Sequence, residues 1–217
     1  MPDLAAARAR MVETQLIARG IRDPAVLAAM GSVPREAFVA PALAQEAYRD
    51  GPLPIGEGQT ISQPAIVALM IAALAVQPGA RVLEVGAGCG YAAAVLARMG
   101  AAVFAVERHA RLGEAARARL AALGFDAVAL RIGDGRAGWP EAAPFDAILV
   151  SAAGPDVPAA LKDQLTPGGH LVLPVGPPGG QTLLRLTRSG PERFASTDLG
   201  PVSFVPLVRG EVATERG

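Results

Sequence analysis

A glycine-rich segment near the middle of the chain has the composition of a ligand-binding turn. Residues 84–91 read EVGAGCGY; they end a short apolar run and lead straight into a helical pattern. Gly86, Gly88 and Gly90 let the backbone turn tightly and approach a ligand at the amino end of that helix, where free N–H groups and the helix dipole are available. A dinucleotide fingerprint would need glycine at position 91, which is Tyr91. The spacing therefore indicates a ligand-binding loop other than the standard NAD loop.

Two further acidic residues follow predicted strands. Glu107 ends the apolar run AVFAVE, and Asp134 lies within Gly133-Asp134-Gly135 after the next run. Because open α/β sheets bind ligands at the carboxyl ends of their strands, we expect both side chains near the glycine loop. A carboxylate at the end of the second strand can accept both ribose hydroxyls of a nucleoside. Each feature alone is also ordinary turn chemistry, and only their joint occurrence favours a nucleoside ligand.

A serine lies between a Gly/Pro-rich stretch and a predicted helix. Residues 58–64 read GQTISQP, and Pro64 suits the first turn of a helix, where the missing N–H costs nothing. Ser62 could be only a helix cap, because serine oxygens accept hydrogen bonds from the first free N–H groups. It could equally be a hydroxyl that contacts a substrate. The local sequence leaves both interpretations open.

The elements that would position these residues alternate between strand and helix, which is typical of βαβ units. The sequence therefore predicts an α/β fold, a doubly wound, mostly parallel Rossmann-like sheet with about five parallel strands. The predicted segments are ARVLEV, YAAAVLARMG, AVFAVE, RLGEAARARLAALG, AVALRI, FDAILVS at 145–151, a short helix near 157–164, and GHLVLPV.

The two ends of the chain depart from this alternation. Apolar residues at three- and four-residue spacing predict an all-helical extension over 2–47, and Gly/Pro-rich residues 51–58 predict a loop without regular structure. Near the other end, QTLLRLTRSG, ERFASTDL and PVSFVPL predict antiparallel strands joined at Ser189-Gly190-Pro191. We expect a single domain over 1–217, divided into the helical extension and loop (1–60), a cofactor-binding core (61–176) and the antiparallel tail (177–217).

The composition limits the class of function. Lys plus Arg and Asp plus Glu both number 20, so the zero net charge offers no electrostatic footprint for nucleic acid. The longest apolar run, residues 65–76, is shorter than the roughly 20 residues that span a bilayer. Cys89 is the single cysteine, and neither histidine has a metal-ligand partner at a suitable spacing. We expect a cytoplasmic protein without a metal, a nucleic-acid partner or a membrane, whose oligomeric state the sequence leaves open.

The glycine loop and the two acids resemble the cofactor site of class I methyltransferases, which use S-adenosylmethionine. In that class an acidic residue, here Glu84, stands two positions before the first glycine. The resemblance is specific, since the chain is similar to the protein-L-isoaspartate O-methyltransferase family over nearly its whole length. The matching segments are VPREAFV at 33–39, AYRDGPLPIGEGQTISQP at 47–64, VLEVGAGCGY at 82–91, GDGRAGWPEAAPFDAILVSAA at 133–153, LTPGGHLVLPVG at 165–176 and SFVPLVRGE at 203–211.

This resemblance implies a repair reaction. A methyl group would pass from S-adenosylmethionine to the free carboxylate of L-isoaspartyl residues, and to a lesser extent D-aspartyl residues, in damaged proteins and peptides, leaving S-adenosylhomocysteine. The serine of the TIS motif, here Ser62, is the residue that the family assigns to catalysis. Pro206, Leu207 and Val208 would help to close the peptide side. The cofactor-binding residues implied are Thr60, Ile61, Glu84, Gly86, Ala87, Gly88, Gly90, Tyr91, Glu107, Asp134 and Gly135.

A carboxylate acceptor simplifies the chemistry, because it is already ionised at neutral pH and needs no general base. Orientation and desolvation are then the tasks of the protein. Cys89 stands where members of the family often have serine, and Ala65-Ile66 stands where they often have an aromatic residue or histidine followed by methionine. These departures affect the expected substrate range rather than the reaction type. Two alternatives stay open, a carboxyl methyltransferase with another peptide substrate and an inactive S-adenosylmethionine-binding interaction protein.

Overall fold

The first part of the molecule is built from short helical segments. The computed structural model describes residues 3–208 and Gly210. The helical segments before the first strand are α1 (Leu4–Met11), a π-helical turn (Val12–Leu16), a 3₁₀ turn (Ile17–Arg19), α2 (Pro24–Ser32) and two further 3₁₀ segments (Arg35–Phe38 and Pro41–Glu46).

The helical extension expected from the sequence is therefore present but broken. Gly20 adopts a left-handed conformation with φ 87° and ends the first helical stretch. Pro34 precedes one 3₁₀ segment and Pro41 begins the other. Because proline lacks an N–H and restricts the residue before it, neither proline allows a regular helix to continue through it. The sequence pattern predicted a stop at Gly20, but it did not reveal the interruptions at Pro34 and Pro41.

A two-stranded antiparallel hairpin follows the extension. It consists of β1 (Leu53–Gly56) and β2 (Gln59–Ile61). The prediction that residues 51–58 form a loop without regular structure was wrong. The two turn residues, Glu57 and Gly58, have φ values of 51° and 68°, the left-handed conformation that tight hairpin turns require. The hairpin brings the chain to the helix that begins at Pro64, three residues after Ile61.

The central sheet has seven strands in the order β5-β4-β3-β6-β7-β8-β9. The strands β3 to β7 run parallel, whereas β8 and β9 pair antiparallel at one edge. The expected fold class is confirmed. The elements are α3 (Pro64–Leu74), β3 (Arg81–Val85), α4 (Tyr91–Arg98), β4 (Ala102–Glu107), α5 (Ala110–Ala122), β5 (Ala129–Ile132), β6 (Phe145–Val150), α6 (Ala159–Asp163), β7 (Leu165–Val175), β8 (Gln181–Arg188) and β9 (Phe194–Val202).

The strand order locates the functional edge of the sheet. Strand β3 lies between β4 and β6, so the connections from β3 to β4 and from β5 to β6 run to opposite sides. Such a reversal opens a crevice at the carboxyl ends of the strands. Helix α3 packs on β6 and β7 on one side and on α2 on the other, which explains its almost wholly apolar sequence. The start of α3 is thereby held firmly beside the crevice.

The tail returns to this crevice instead of forming a third antiparallel strand. Strand β9 ends at Val202, and Pro206 makes only an isolated parallel bridge with Ala153. The amide of Ala153 donates to the Val205 carbonyl at 2.8 Å, and the Leu207 amide donates to the Ala153 carbonyl at 2.7 Å. The prediction of a strand over PVSFVPL is therefore wrong beyond Val202. Among residues 3–208 and Gly210, no helix is long and apolar enough to cross a membrane.

Candidate active site

The glycine loop adopts a backbone that only glycine accommodates without strain. Gly86, Gly88 and Gly90 have φ values of 82°, 54° and 89°, all in the left-handed region. The amides of Gly86 and Ala87 both donate to the carbonyl of Val106 on the neighbouring strand, at 2.9 and 3.2 Å. Gly90 is the N-cap residue of α4. The loop is thus fixed against β4 and leads directly to a helix amino terminus.

The Glu107 carboxylate joins the glycine loop to the next helix. Its Oε2 accepts a hydrogen bond from the Gly88 amide at 2.7 Å, and its Oε1 accepts one from the His109 amide at 2.9 Å. The residue is only 4% exposed. Each carboxylate oxygen can accept a second hydrogen bond. Glu107 is therefore held in place by two backbone donors and still has acceptor capacity for a pair of hydroxyls.

Glu84 is a buried carboxyl group with an unsatisfied oxygen. It is 1% exposed, and its Oε2 has no hydrogen-bond partner within the described residues. Burial, together with the nearby charge of Glu107, raises the pKa of Glu84 to about 8, although the backbone N–H of Ala93 opposes the shift. Burial therefore favours the neutral form of Glu84 in the free protein. Its orphaned oxygen can accept a hydrogen bond from a ligand.

These groups share one cavity of about 270 Å³ at the carboxyl ends of β3, β4 and β6. A nucleoside with an attached amino acid fits this donor and acceptor set, which combines glycine amides, a carboxylate with spare acceptor capacity and a buried carboxyl oxygen without a partner. The predicted site residues that line the cavity are Thr60, Ile61, Ser62, Glu84, Gly86, Ala87, Gly88, Tyr91, Glu107, Gly135, Pro206, Leu207 and Val208.

Two predicted cofactor residues, Gly90 and Asp134, do not line this cavity. Each carboxylate oxygen of Asp134 accepts one backbone hydrogen bond, Oδ1 from the Arg136 amide and Oδ2 from the Gly210 amide, each at 2.9 Å. It caps the 3₁₀ turn after β5 and ties the tail to that turn. A Cβ on the adjacent Gly135 would lie 2.4 Å from Val85 Cγ1, so only glycine fits against β3 there.

A second cavity of about 690 Å³ adjoins the first. Thr60, Ser62, Ser151 and Val205 line both. None of the residues described as lining this second cavity is charged, so its polar character comes from hydroxyl, amide and backbone groups. The remaining lining residues are Pro52, Gln63, Ile66, Pro201, Val202, Ser203 and Phe204.

The structure does not support the cap interpretation of Ser62. The N-cap residue of α3 is Gln63, and no side chain makes a cap hydrogen bond there. The Ser62 hydroxyl forms no hydrogen bond with any residue in the described part of the chain. The Ser62 carbonyl, in contrast, accepts a hydrogen bond from Arg35 Nη2 at 2.7 Å. The backbone of Ser62 is fixed by this hydrogen bond, and the residue lines both cavities.

Sequence reasoning missed several residues of the cavity walls. Ser151 ends the run FDAILVS at the carboxyl end of a parallel strand, which was a usable signal for a ligand contact. His109, two residues after Glu107, offered the same signal and lines the cavity. Its Nδ1 lies 4.0 Å from Oε2 of Glu57 in the hairpin turn. Ile55 and Val205 gave no local signal, because the hairpin and the tail bring them to the site from distant parts of the chain.

The fold and the site define the class of protein. The class I S-adenosylmethionine-dependent methyltransferases have such a mostly parallel α/β sheet, with a glycine loop and a buried carboxylate at the reversal in strand order. The family model described as Protein-L-isoaspartate(D-aspartate) O-methyltransferase (PCMT) matches residues 7–212. The chain belongs to this family.

Curated relatives agree with this assignment. The chain is 79% identical over 210 residues to the protein-L-isoaspartate O-methyltransferase of Methylorubrum extorquens (strain PA1), a match that covers 97% of this chain and 92% of that protein. It is 80% identical over 205 residues to the protein of the same description from Methylorubrum populi (strain ATCC BAA-705 / NCIMB 13946 / BJ001). This match covers 94% of this chain and 96% of that protein. The expected family and enzyme class are therefore confirmed, and neither relative favours the alternative functions.

Solved structures show the same fold. A protein-L-isoaspartate O-methyltransferase structure superposes with a TM-score of 0.83 at 29% identity over 92% of this chain, which spans 65% of that structure's length. A Plasmodium falciparum structure described as a protein of this family in complex with S-adenosyl-L-homocysteine gives a TM-score of 0.80 at 27% identity. The match covers 93% of this chain and 98% of that one. The cofactor class expected from the sequence is confirmed.

Proposed function

We propose that the chain methylates the free carboxylate of L-isoaspartyl residues, and of D-aspartyl residues to a lesser extent, and that the transfer takes place beside Ser62. One observation carries the location. Ser62, whose hydroxyl has no hydrogen-bond partner among the described residues, lines both the cavity with the nucleoside-type acceptors and the larger uncharged cavity. A methyl donor in the first and a peptide carboxylate in the second would meet at this residue.

The first cavity would hold S-adenosylmethionine. The glycine loop offers close backbone approach, Glu107 would accept the ribose hydroxyls, and the orphaned oxygen of Glu84 would accept from the amino-acid part. Thr60 and Ile61 would cover the methionine part from the hairpin. When bound, the cofactor supplies an electrophilic methyl group on a positively charged sulfur.

The uncharged wall of the second cavity suits this reaction. A carboxylate anion and a sulfonium cation become a neutral ester and a neutral thioether, so charge disappears along the reaction. A fixed cation beside the carboxylate would stabilise the starting anion more than the transition state and would slow the transfer. A neutral donor such as the Ser62 hydroxyl can orient one oxygen without that cost. Since the carboxylate is already ionised at pH 7, no residue has to remove a proton.

We also infer that the partners are damaged proteins or peptides, without nucleic acid or a membrane, and that the enzyme works in the cytoplasm. The balanced charge and the single cysteine support this inference. The domain over 1–217, its three parts and the residue roles in the site are predictions.

A pair of synthetic peptides tests the proposed function. The two peptides have the same sequence, but one contains L-isoaspartate and the other L-aspartate at one position; a third contains D-aspartate. Methyl incorporation from labelled S-adenosylmethionine should be high for the first, low for the third and absent for the second. If no peptide is methylated while calorimetry shows S-adenosylhomocysteine binding, the chain is an inactive binder. Methylation of another carboxylate only would instead support a related carboxyl methyltransferase.

A further inference from the structure

Arg35 is a fully buried arginine that the proposed chemistry does not yet use. It lies in the segment VPREAFV and is 0% exposed. Its Nε donates to the Ala47 carbonyl and its Nη2 donates to the Ser62 carbonyl, both at 2.7 Å. It forms no ion pair with any residue in the described part of the chain. Its partners are therefore two backbone carbonyls and no carboxylate.

Such an arrangement is costly for a side chain that serves only to fill space. Removing a guanidinium from water carries a large desolvation penalty, and buried arginines are usually paired with an anion. Burial accordingly lowers the pKa of Arg35. Its Nη1 also lacks a hydrogen-bond partner within residues 3–208 and Gly210. An apolar residue would fill the same volume at lower cost, so the two directed hydrogen bonds are the feature to explain.

The guanidinium contacts three separate parts of the site. Ala47 belongs to the end of the helical extension, and Ser62 lies between the hairpin and α3. The guanidinium carbon also lies 5.0 Å from the centre of the Tyr91 ring, which begins α4 and lines the first cavity. Arg35 therefore fixes the serine relative to both the extension and the end of the glycine loop.

We propose that Arg35 is a positioning residue for Ser62, which holds the backbone of the serine so that its hydroxyl faces the boundary between the two cavities. The inference rests on the proposed function of Ser62. The planar guanidinium fork reaches both carbonyls at once. A lysine ammonium is a compact point charge and cannot reproduce both contacts and the stacking on Tyr91. Without Arg35 Nη2, the Ser62 carbonyl loses its observed donor, and the segment before α3 is free to rotate.

A purely structural role makes different predictions. If Arg35 only attaches the helical extension, its replacement lowers the melting temperature but leaves the turnover of each folded molecule unchanged. If it positions Ser62, replacement lowers kcat, and the loss depends on whether position 62 carries a hydroxyl. A double-mutant cycle separates the two roles, because groups that act through one another are not additive.

The cycle compares the wild-type protein with Arg35→Lys, Ser62→Ala and the double variant, using the isoaspartyl peptide. Arg35→Lys should lower kcat about 10-fold or more in the wild-type background, but by less than about 3-fold when Ser62 is already alanine. S-adenosylhomocysteine affinity should change by less than about 3-fold, since the Glu107 side of the cavity is untouched.

Arg8→Lys is the matched control. Arg8 lies in the same extension and donates to the Tyr48 hydroxyl, the Ser32 carbonyl and Glu36, but it does not contact Ser62. This change should lower the melting temperature and leave kcat per folded molecule unchanged in both backgrounds. Equal losses from Arg35→Lys in both backgrounds, or an unchanged kcat, would overturn the positioning role.

Hydrogen exchange supplies a readout that does not need turnover. With S-adenosylhomocysteine bound, Arg35→Lys should speed the exchange of backbone amides over residues 58–66, whereas Arg8→Lys should not. Unchanged exchange in this segment would also overturn the inference. If the wild-type protein binds the cofactor product yet methylates no isoaspartyl peptide, the proposed function fails, and the exchange result still decides whether Arg35 orders the segment.

Discussion

Replacing Ser62 by alanine separates a catalytic hydroxyl from a structural one. The hydroxyl makes no hydrogen bond with the described residues, and Gln63 rather than Ser62 is the N-cap of α3. Ser62→Ala therefore removes no cap hydrogen bond, the loss of which typically costs about 1 kcal/mol. The melting temperature and the free energy of unfolding should be almost unchanged.

The expected loss of activity follows from the charge of the acceptor. A hydrogen bond between a neutral donor and a charged group is worth about 1.5–3 kcal/mol. If the Ser62 hydroxyl orients the substrate carboxylate in the transition state, kcat should fall about 10- to 150-fold. The affinity for S-adenosylhomocysteine should stay within about 3-fold, because the glycine loop and Glu107 are unaffected.

The assay combines steady-state methylation of an isoaspartyl peptide with calorimetric titration of S-adenosylhomocysteine and thermal unfolding. Ser196→Ala is a suitable control, since Ser196 is exposed on β9 and lines neither cavity. A kcat within about 3-fold of wild type, combined with a loss of stability near 1 kcal/mol, would show that Ser62 is structural and would refute the reasoning.

Two other changes test the cofactor side. Glu107→Gln should weaken S-adenosylhomocysteine binding about 10- to 150-fold, because the amide nitrogen replaces one of two oxygens that accept from Gly88 and His109 and the charge is lost; unchanged calorimetric affinity would contradict the ribose role. The Glu84 carboxyl has a pKa near 4.5 in the unfolded chain and of about 8 in the folded protein. Raising the pH from 5 to 8 should therefore lower the free energy of unfolding of the wild-type protein, without ligand, by on the order of 4 kcal/mol more than that of Glu84→Gln. Chemical denaturation at several pH values measures this difference, and parallel pH profiles for the two proteins would exclude it.

Local sequence patterns determined the parts of the site that depend on backbone conformation. Gly86, Gly88 and Gly90 have the left-handed φ values that their spacing suggested. Glu107 lies beside them because a βαβ connection brings the carboxyl ends of adjacent parallel strands to one edge. The βαβ connection by itself places Glu107 next to the glycine loop, so this proximity could be predicted from the sequence.

The same patterns do not determine which partners a side chain takes. Asp134 follows its strand as expected, yet its carboxylate binds the amides of Arg136 and Gly210 and does not line the cavity. The register of the hairpin over 53–61 likewise depended on a turn whose conformation the Gly/Pro composition obscured. In each case a competing local hydrogen bond or turn decided the outcome.

Only the tertiary structure shows what surrounds Ser62. Its sequence context fits a cap and a catalytic hydroxyl equally well, and the difference lies in contacts that cross the whole chain. Ser151 and Val205 line both cavities together with Ser62. Arg35 donates a hydrogen bond to the Ser62 carbonyl. These residues are far apart in sequence and meet because the buried helix, the tail and the extension pack on one edge of the sheet. Contacts between such distant segments leave no repeating pattern of residue types in the sequence, so a local sequence pattern cannot reveal them.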